Sequence, residues 1–267
     1  MAVRKVSGGK INTIAGNGIS GYSGDGGPGP SATLNQPQGV AVDSAGNVFI
    51  ADTFNGVIRE VKGGTITTFA TNANFSDLLQ MATDSSNNIY VADAGACVIW
   101  QITPSGIVSI AAGVLFTCGY NGDGIAATSA QLNGPTALAF DPGGNMLITD
   151  NGNNRVRQVT AGTINTIAGN GNCGYTGDGG SATSAELCPY SIAVDKSANI
   201  YVVDNFTRIR KIKSGIITTF AGAGFGFNGD GLWPLYTTFD DPVAVAVDSK
   251  GAVYVMDDYD HRVRKIQ

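Results

Sequence analysis

The chain carries a single histidine, His261, among its 267 residues. A zinc centre built from several histidines is thereby excluded, and a Ser-His-Asp triad would have to use that one imidazole. Basic charge is scarce as well. Sixteen Lys and Arg against 21 Asp and Glu leave a net charge of −5, opposite to the footprint of a nucleic-acid binder. No apolar run approaches the roughly 20 residues that a membrane-crossing helix needs, which predicts a soluble chain without membrane insertion. The opening Met1-Ala2-Val3-Arg4-Lys5-Val6 has no apolar h-region and gives no signal peptide; it reads as a strand, as if the chain began inside a repeat array or at a trimmed boundary. Cysteine is limited to Cys97, Cys118, Cys173 and Cys188, with no CxxC and no nearby His, so a zinc site is not expected there either.

What the chain has in quantity is glycine, 38 residues of it, set between runs of Val, Ile, Thr and Ala. This is the composition of short strands and tight turns. Residues 37–52 form two apolar runs joined by a Gly-Asn turn, and the unit returns at 79–93, 135–150, 189–204 and 242–257. The first run ends in Asp43, Asp84, Asp141, Asp195 or Asp248, a spacing of 41 to 57 residues. The second ends in Asp52, Asp93, Asp150, Asp204 or Asp257. A third run follows at 57–61, 98–102, 156–159, 209–212 and 263–266, and a fourth at 66–70, 107–111, 164–169 and 216–222. Period-two alternation with short turns predicts antiparallel hairpins, and the lack of any crossover helix excludes parallel βαβ winding. Four antiparallel strands repeated at this period are a propeller blade.

Two further features bear on closure. Ala41, Ala82, Ala139, Ala193 and Ala246 share one place in the first strands, where a small side chain is expected if the innermost strands crowd an axis. The fifth unit ends after its third run, while Ile11-Asn12-Thr13-Ile14-Ala15-Gly16 nearly matches 164–169. The N-terminal strand is therefore expected to close the last blade and remove an exposed edge. Val3-Arg4-Lys5-Val6 duplicates Val263-Arg264-Lys265-Ile266, and which of the two fills the closing blade stays open.

Taken across units, the pattern ITTIAGxGxxGYxGDGGxATSAxLxxPxxVAVDxxGNVYVADxxNNRVRKV resembles the NHL-repeat propellers, in particular the long-repeat form of bacterial extracellular proteins and of the teneurin NHL module. The resemblance implies a propeller with ligand-facing loops at one rim. NHL propellers usually have six blades, and here five hairpin cores are present. The expectation is an all-β, single-domain propeller over residues 1–267 with five four-stranded antiparallel blades, a six-bladed ring being the alternative.

The loop between fourth and first strands carries a second motif, Gly-Tyr/Phe-x-Gly-Asp-Gly, at 21–26, 119–124, 174–179 and 226–231, and it is missing from the second unit. Asp25, Asp123, Asp178 and Asp230 are candidate calcium ligands, since a carboxylate among backbone carbonyls offers hard oxygens. One carboxylate per loop is few for that ion, and capping of the short helical turns near 31–33, 127–129 and 182–184 by the Asp, with the aromatic packed underneath, is the preferred reading. The recurring Asp at the end of the second strand is read as capping the turn and pairing with Arg155, Arg208 or Arg262 at the start of the third, because chemistry seldom needs five copies of one residue.

Specific function is expected where the symmetry fails. The second unit replaces the arginine with Val98, adds Trp100 and shortens its loop at 75–79. The last unit gathers Trp233, Tyr236, Asp240, Asp241, Tyr259 and His261 near one rim. Aromatics with acids suit a sugar, a peptide or a cationic ligand, so these residues with Trp100 are the candidate binding set. Cys173 and Cys188 lie in one loop; Cys97 sits in a turn that shares a propeller face with the loop holding Cys118. Cys97–Cys118 and Cys173–Cys188 disulfides are expected, placing the protein in a secreted, periplasmic or cell-surface setting. The functional expectation is a non-enzymatic binding or scaffold module, monomeric or part of a larger multidomain chain, for a protein, peptide or glycan, with no cofactor beyond possible calcium. The alternative is a metal-dependent, lactonase-like hydrolase or lyase with its site at the propeller axis.

Overall fold

Short β-branched runs divided by glycine turns fold into 22 strands and six 3-10 turns in the computed structural model, which describes residues 1–205 and 207–266. Among the described residues there is no α-helix. The chain divides into two compact units, Met1–Phe116 and Thr117–Gln267.

The first unit opens with a hairpin of β1 (Val3–Ser7) and β2 (Lys10–Ala15). Blade 1 follows as β3 (Pro37–Val42), β4 (Val48–Asp52), β5 (Val57–Lys62) and β6 (Thr65–Thr71), paired in chain order. Blade 2 is β7 (Leu78–Thr83), β8 (Ile89–Asp93), β9 (Val98–Ile102) and β10 (Val108–Gly113). In the second unit a two-residue strand, β11 (Ile125–Ala126), borders blade 3, made of β12 (Pro135–Phe140), β13 (Met146–Asp150), β14 (Arg155–Thr160) and β15 (Thr163–Ala168). Blade 4 is β16 (Pro189–Val194), β17 (Ile200–Asp204), β18 (Arg208–Lys213) and β19 (Ile216–Ala221). Blade 5 has three strands, β20 (Pro242–Val247), β21 (Val253–Asp257) and β22 (Arg262–Ile266). Five antiparallel blades of this kind are the β-propeller fold that the repeats predict.

Successive residues of a strand face opposite sides, so a sheet covered on both faces must be apolar at nearly every position. Phe49 packs toward blade 2 with Ile89 and Val91, while its neighbour Ile50 packs the other way with Ala15 and Leu34. Blades 3 and 4 join through Leu147, Val156, Ile192 and Val202, and blades 4 and 5 through Val203, Ile209, Val253 and Val255. Each fully buried Ile or Leu contributes roughly 1.5–3 kcal/mol. The recurring alanine serves this stacking. Ala41 belongs to the core shared with blade 2 and Ala193 to that shared with blade 5, because β3 lies beside β7 and β16 beside β20. At Gly39 the approach is closer still: any Cβ would collide with the Leu79 carbonyl.

The repeated Asp and Asn of the first turn form a staple. Asp43 Oδ1 accepts from the backbone N–H of Ala45 (3.0 Å) and Asn47 (2.8 Å), and Oδ2 from Asn47 Nδ2 (2.7 Å). Asp84 with Asn88, Asp141 with Asn145 and Asp195 with Asn199 repeat it.

One expectation is corrected. The N-terminal strand does not pair with Val263–Ile266: β2 takes β1 as its partner, with Val3 opposite Ala15, Arg4 opposite Thr13 and Val6 opposite Ile11. This is the register of Val156, Arg157 and Val159 against Ala168, Thr166 and Ile164 in blade 3. Gly8 and Gly9, both at positive φ (57° and 73°), make the local two-residue turn that joins the strands. Closing so short a loop costs far less chain entropy than pairing across most of the chain. The hairpin is thus the outer half of a blade and packs on blade 1 through Ala15 and Val3.

Candidate functional site

The conspicuous polar feature of the blades is a buried guanidinium held between two carboxylates. Arg59, entirely buried, reaches Asp25 Oδ1 at 2.6 Å and Asp52 Oδ2 at 3.4 Å. Arg157 spans Asp123 (2.9 Å) and Asp150 (3.2 Å), and Arg210 spans Asp178 (2.8 Å) and Asp204 (3.1 Å). Arg264 spans Asp230 (3.3 Å) and Asp257 (3.4 Å). The arginine of the bridge is therefore two residues beyond Arg155, Arg208 and Arg262, the positions expected from sequence. Those arginines lie over the loop aromatics, with Arg155 above Tyr120, Arg208 above Tyr175 and Arg262 above Phe227, each 4.0 Å from the ring centroid. A cation over a ring face gains about 0.5–1 kcal/mol where exposed.

The inner carboxylates Asp150 and Asp204 are buried, and burial pushes both above the usual carboxylate range although each accepts hydrogen bonds and faces its arginine. The outer Asp25 behaves oppositely. Burial works to raise it, but the Thr68 hydroxyl and the Arg59 charge outweigh that and hold it low. The four aspartates proposed from sequence as calcium ligands thus each face a guanidinium that already supplies the countercharge. Among the described residues, no group of three His, Cys, Asp or Glu side chains is placed to share an ion. Nor do these aspartates cap helical turns: the 3-10 turns Gly29–Ser31, Ala127–Ser129 and Ala182–Ser184 have no side-chain cap. Their first residues follow the Asp by four, beyond the reach of a cap, and the carboxylate turns toward the arginine instead.

Blade 2 shows what replaces this bridge. Trp100, not Val98, occupies the arginine position, and its indole Nε1 donates to Asp93 Oδ2 at 2.9 Å. Asp93 also accepts from the backbone N–H of Ser76, Asp77 and Ala96 (3.0, 2.8 and 3.0 Å). Trp100 is buried and meets Phe75 edge-on at 5.5 Å. It is a core residue and presents no surface to a ligand, which corrects its place in the candidate set.

The other candidates lie in blade 5. Trp233, Tyr236 and Tyr259 are 78%, 68% and 69% exposed, and His261 is exposed as well. Trp233 precedes and Tyr236 ends the 3-10 turn Pro234–Tyr236, closed by Tyr236 N–H to the Trp233 carbonyl (2.9 Å) and clamped by Asn228 Nδ2 on the Tyr236 carbonyl (2.6 Å). Asp240, Asp241, Tyr259 and His261 come together through paired loops. Tyr259 N–H donates to the Asp240 carbonyl and Asp258 N–H to that of Asp241, both at 3.2 Å, and His261 N–H closes on the Asp258 carbonyl at 2.8 Å. Burial, then the charges of Asp258 and Asp240, raise the Asp241 carboxyl. Phe225 (73%) and Leu235 (55%) are exposed as well; the only sequence signal for Leu235 is a turn, Pro-Leu-Tyr, that departs from the Gly-Pro-Ser and Ala-Thr-Ser of its counterparts.

Cys173 and Cys188 are joined within the loop before β16, and Cys97 and Cys118 are also disulfide-bonded, so no cysteine is free.

Blades with a Gly-Asp-Gly loop feeding an Asp-Arg-Asp bridge define a repeat propeller whose regular parts are structural. The NHL repeat family matches residues 34–57 and 132–159. Teneurin-4 of Mus musculus is 31% identical over 228 residues, 71% of this chain and 8% of that protein. The chain belongs to the NHL-repeat β-propellers and spans about 8% of the length of that relative. An auxiliary nutrient binding protein from Bacteroides ovatus shares the fold with a TM-score of 0.66 at 20% identity, covering 89% of this chain and 60% of that one. A gluconolactonase from Xanthomonas campestris has a TM-score of 0.56 at 16% identity, over 82% and 69%.

Proposed function

We propose that the chain is a non-enzymatic binding module that takes a protein, peptide or glycan ligand on the loops of blade 5. The observation that carries this reading is the exposure of Trp233, Tyr236 and Tyr259 beside Asp240, Asp241 and His261 on backbone-clamped loops. Large exposed aromatics on a rigid scaffold are what a recognition surface needs, and the carboxylates of Asp240 and Asp241 beside them favour a cationic or hydroxyl-rich partner. The four disulfide-bonded cysteines support an extracellular or periplasmic setting. A teneurin and a nutrient binding protein among the similar proteins support the same reading. The hydrolase alternative has only the fold shared with a gluconolactonase behind it, and fold by itself does not carry chemistry.

A glycan array and a basic-peptide array probed with the purified chain test the proposal. Binding to at least one class is expected, falling at least tenfold for Trp233→Ala and Tyr259→Ala with the fold intact. Equal binding by wild type and both variants would move the site elsewhere.

A further inference from the structure

The chain holds seven Asn-Gly pairs, beginning at Asn17, Asn55, Asn121, Asn133, Asn151, Asn170 and Asn228. In this dipeptide the asparagine side chain is readily attacked by the next backbone nitrogen, because glycine carries no Cβ to obstruct the approach. Six of the seven are restrained against it. Asn121, Asn170 and Asn228 are bonded at both ends of the carboxamide. Their Nδ2 atoms donate to the Ser129, Ser184 and Tyr236 carbonyls (2.9, 3.1 and 2.6 Å). Their Oδ1 atoms accept from the N–H of Gln131, Asn172 and Thr238 (2.8, 2.9 and 3.0 Å). Asn17, Asn55 and Asn151 are held differently. Their Nδ2 atoms donate to the Ser31, Gly21 and Pro189 carbonyls (3.3, 2.9 and 2.9 Å). The glycine nitrogen that would attack is occupied too, Gly18 donating to the Met1 carbonyl (3.1 Å), Gly56 to Thr53 (3.0 Å) and Gly152 to Asn133 (2.8 Å).

Asn133 has neither restraint. Its main chain is clamped, the N–H on Asp150 Oδ1 (2.8 Å) and the carbonyl by Gly152 N–H (2.8 Å). Among the described residues, however, nothing bonds its carboxamide or the Gly134 N–H. The cause is a difference between blades. In blade 1 the counterpart of Asn133 is Asn35, whose Oδ1 accepts from Ser20 Oγ at 2.7 Å. Cys118 stands in the place of Ser20, since Gly119 N–H donates to the Leu132 carbonyl as Gly21 N–H does to that of Leu34 (3.0 and 3.2 Å). Cys118 is disulfide-bonded, and such a sulfur has no hydrogen to donate. The carboxamide lies instead against Gly152, where a Cβ would collide with it. Asn133 is only half-buried, so water reaches it.

We propose that Asn133 is a site of spontaneous deamidation. The Gly134 nitrogen bonds to Asn133 Cγ as the Cγ–Nδ2 bond breaks. The Gly134 amide proton leaves with Nδ2 as ammonia, and a cyclic imide remains. Water then adds to either imide carbonyl, the bond from that carbon to the Gly134 nitrogen breaks, and a proton returns to the nitrogen. The product is aspartate or isoaspartate; water is consumed, ammonia is released, and nothing is oxidised or reduced. In isoaspartate the chain runs through Cβ and Cγ, so the link from residue 133 to Gly134 is longer by one methylene. The carbonyl that Gly152 N–H holds becomes the free carboxylate. The clamp joining the start of β12 to the turn after β13 is thereby released, and blade 3 weakens with the age of the molecule. This site lies in blade 3 and does not rest on the role of the blade 5 loops.

The test is to age the folded chain, disulfides intact, at mildly alkaline pH and physiological temperature, and to sequence its peptides by tandem mass spectrometry for the gain of one mass unit. Asn133 should convert roughly tenfold faster than any of the other six, the effect of one missing hydrogen bond. In urea with reductant that lead should vanish, because unfolding removes the bonds that restrain the six. Gly134→Gln copies the Asn35-Gln36 of blade 1, where Gln36 has the same left-handed backbone (φ 47° against 54°). A Cβ at 134 meets open space, so this variant should fold, and it should slow conversion at Asn133 by roughly tenfold or more. In converted protein the Gly152 amide should exchange with solvent faster than in fresh protein. Another of the seven converting first in the folded chain would overturn the proposal, as would a lead of Asn133 that persists in urea or a Gly134→Gln chain that converts as fast as wild type. Unchanged exchange at Gly152 after conversion would overturn the release of the clamp.

Discussion

Replacing Arg157 by methionine tests the central energetic claim, that the buried arginine exists to satisfy a buried carboxylate. Asp150 is fully buried and accepts from Asn133 N–H (2.8 Å), Asn153 Nδ2 (2.9 Å) and Arg157 (3.2 Å). Methionine keeps the volume and the contacts of the stem but strands the charge. Removing one partner of a buried pair costs about 3–5 kcal/mol. The outer partner Asp123, 37% exposed, adds little, because solvent screens it. The expected loss is thus about 3–5 kcal/mol, or roughly 6–10 °C in Tm for a chain of this size. Asp150 already sits above the ordinary carboxylate range because of burial, and loss of the arginine raises it further. A carboxyl whose folded pKa is raised favours the folded state below its unfolded pKa and loses that contribution as pH rises through the folded value. The cost of Arg157→Met should therefore be greatest near pH 7 and shrink as pH falls and Asp150 takes up a proton. The double variant Arg157→Met/Asp150→Asn should recover most of the loss. Urea unfolding followed by far-UV circular dichroism, with disulfides intact, measures all of this. A loss below about 1 kcal/mol, or the same loss at acid and neutral pH, would refute the reasoning. Blade 2 shows the condition under which the cation is dispensable: Asp93 keeps its place with four donors and no arginine.

Three further outcomes follow from the same geometry. Trp100→Phe keeps the apolar ring but leaves Asp93 one donor short, so it should cost about 1–3 kcal/mol in urea unfolding; acrylamide should quench Trp233 far more than Trp100, and Trp233→Phe should remove the quenchable emission. Cys173→Ala/Cys188→Ala opens a disulfide with a sequence separation of 15 and should destabilise by about 3 kcal/mol, a difference that vanishes when wild type is unfolded under reductant. For Asp43, burial works to raise the carboxyl, but the Asn47 and Ala45 bonds outweigh it and hold it low. A depressed carboxyl contributes stability above its unfolded pKa and loses it as pH falls through the folded value, so Asp43→Ala should lower Tm at pH 7 and converge on wild type in acid.

The blade repeat, its strand order and the Gly-Asn turns were legible in the residues, because alternation and turn chemistry are local and each blade states them anew. Asp43 and its equivalents were legible only as the ends of the first strands; that they staple the turn onto the following Asn is decided by the folded hairpin. Trp233, Tyr236 and Tyr259 were legible too, as departures from a repeated loop. Trp100 was not: an unmatched tryptophan reads as a surface anchor until the register places it two residues beyond Val98, inside the core and on Asp93. The arginine of the bridge was displaced by the same two residues, since Arg155 and Arg157 lie on one face of β14 and alternation alone cannot choose between them.

What the sequence determined by itself is therefore the unit, an antiparallel blade with a stapled turn and a Gly-Asp-Gly loop, and the places where that unit is broken. Only the tertiary structure decided which carboxylate meets which arginine, that Trp100 takes the arginine's place on Asp93, and that β2 takes β1 as its partner. Those outcomes depend on which groups lie within a few ångströms across separate segments. Repetition makes such segments nearly identical in sequence, so pattern cannot choose among them, whereas packing and chain entropy can.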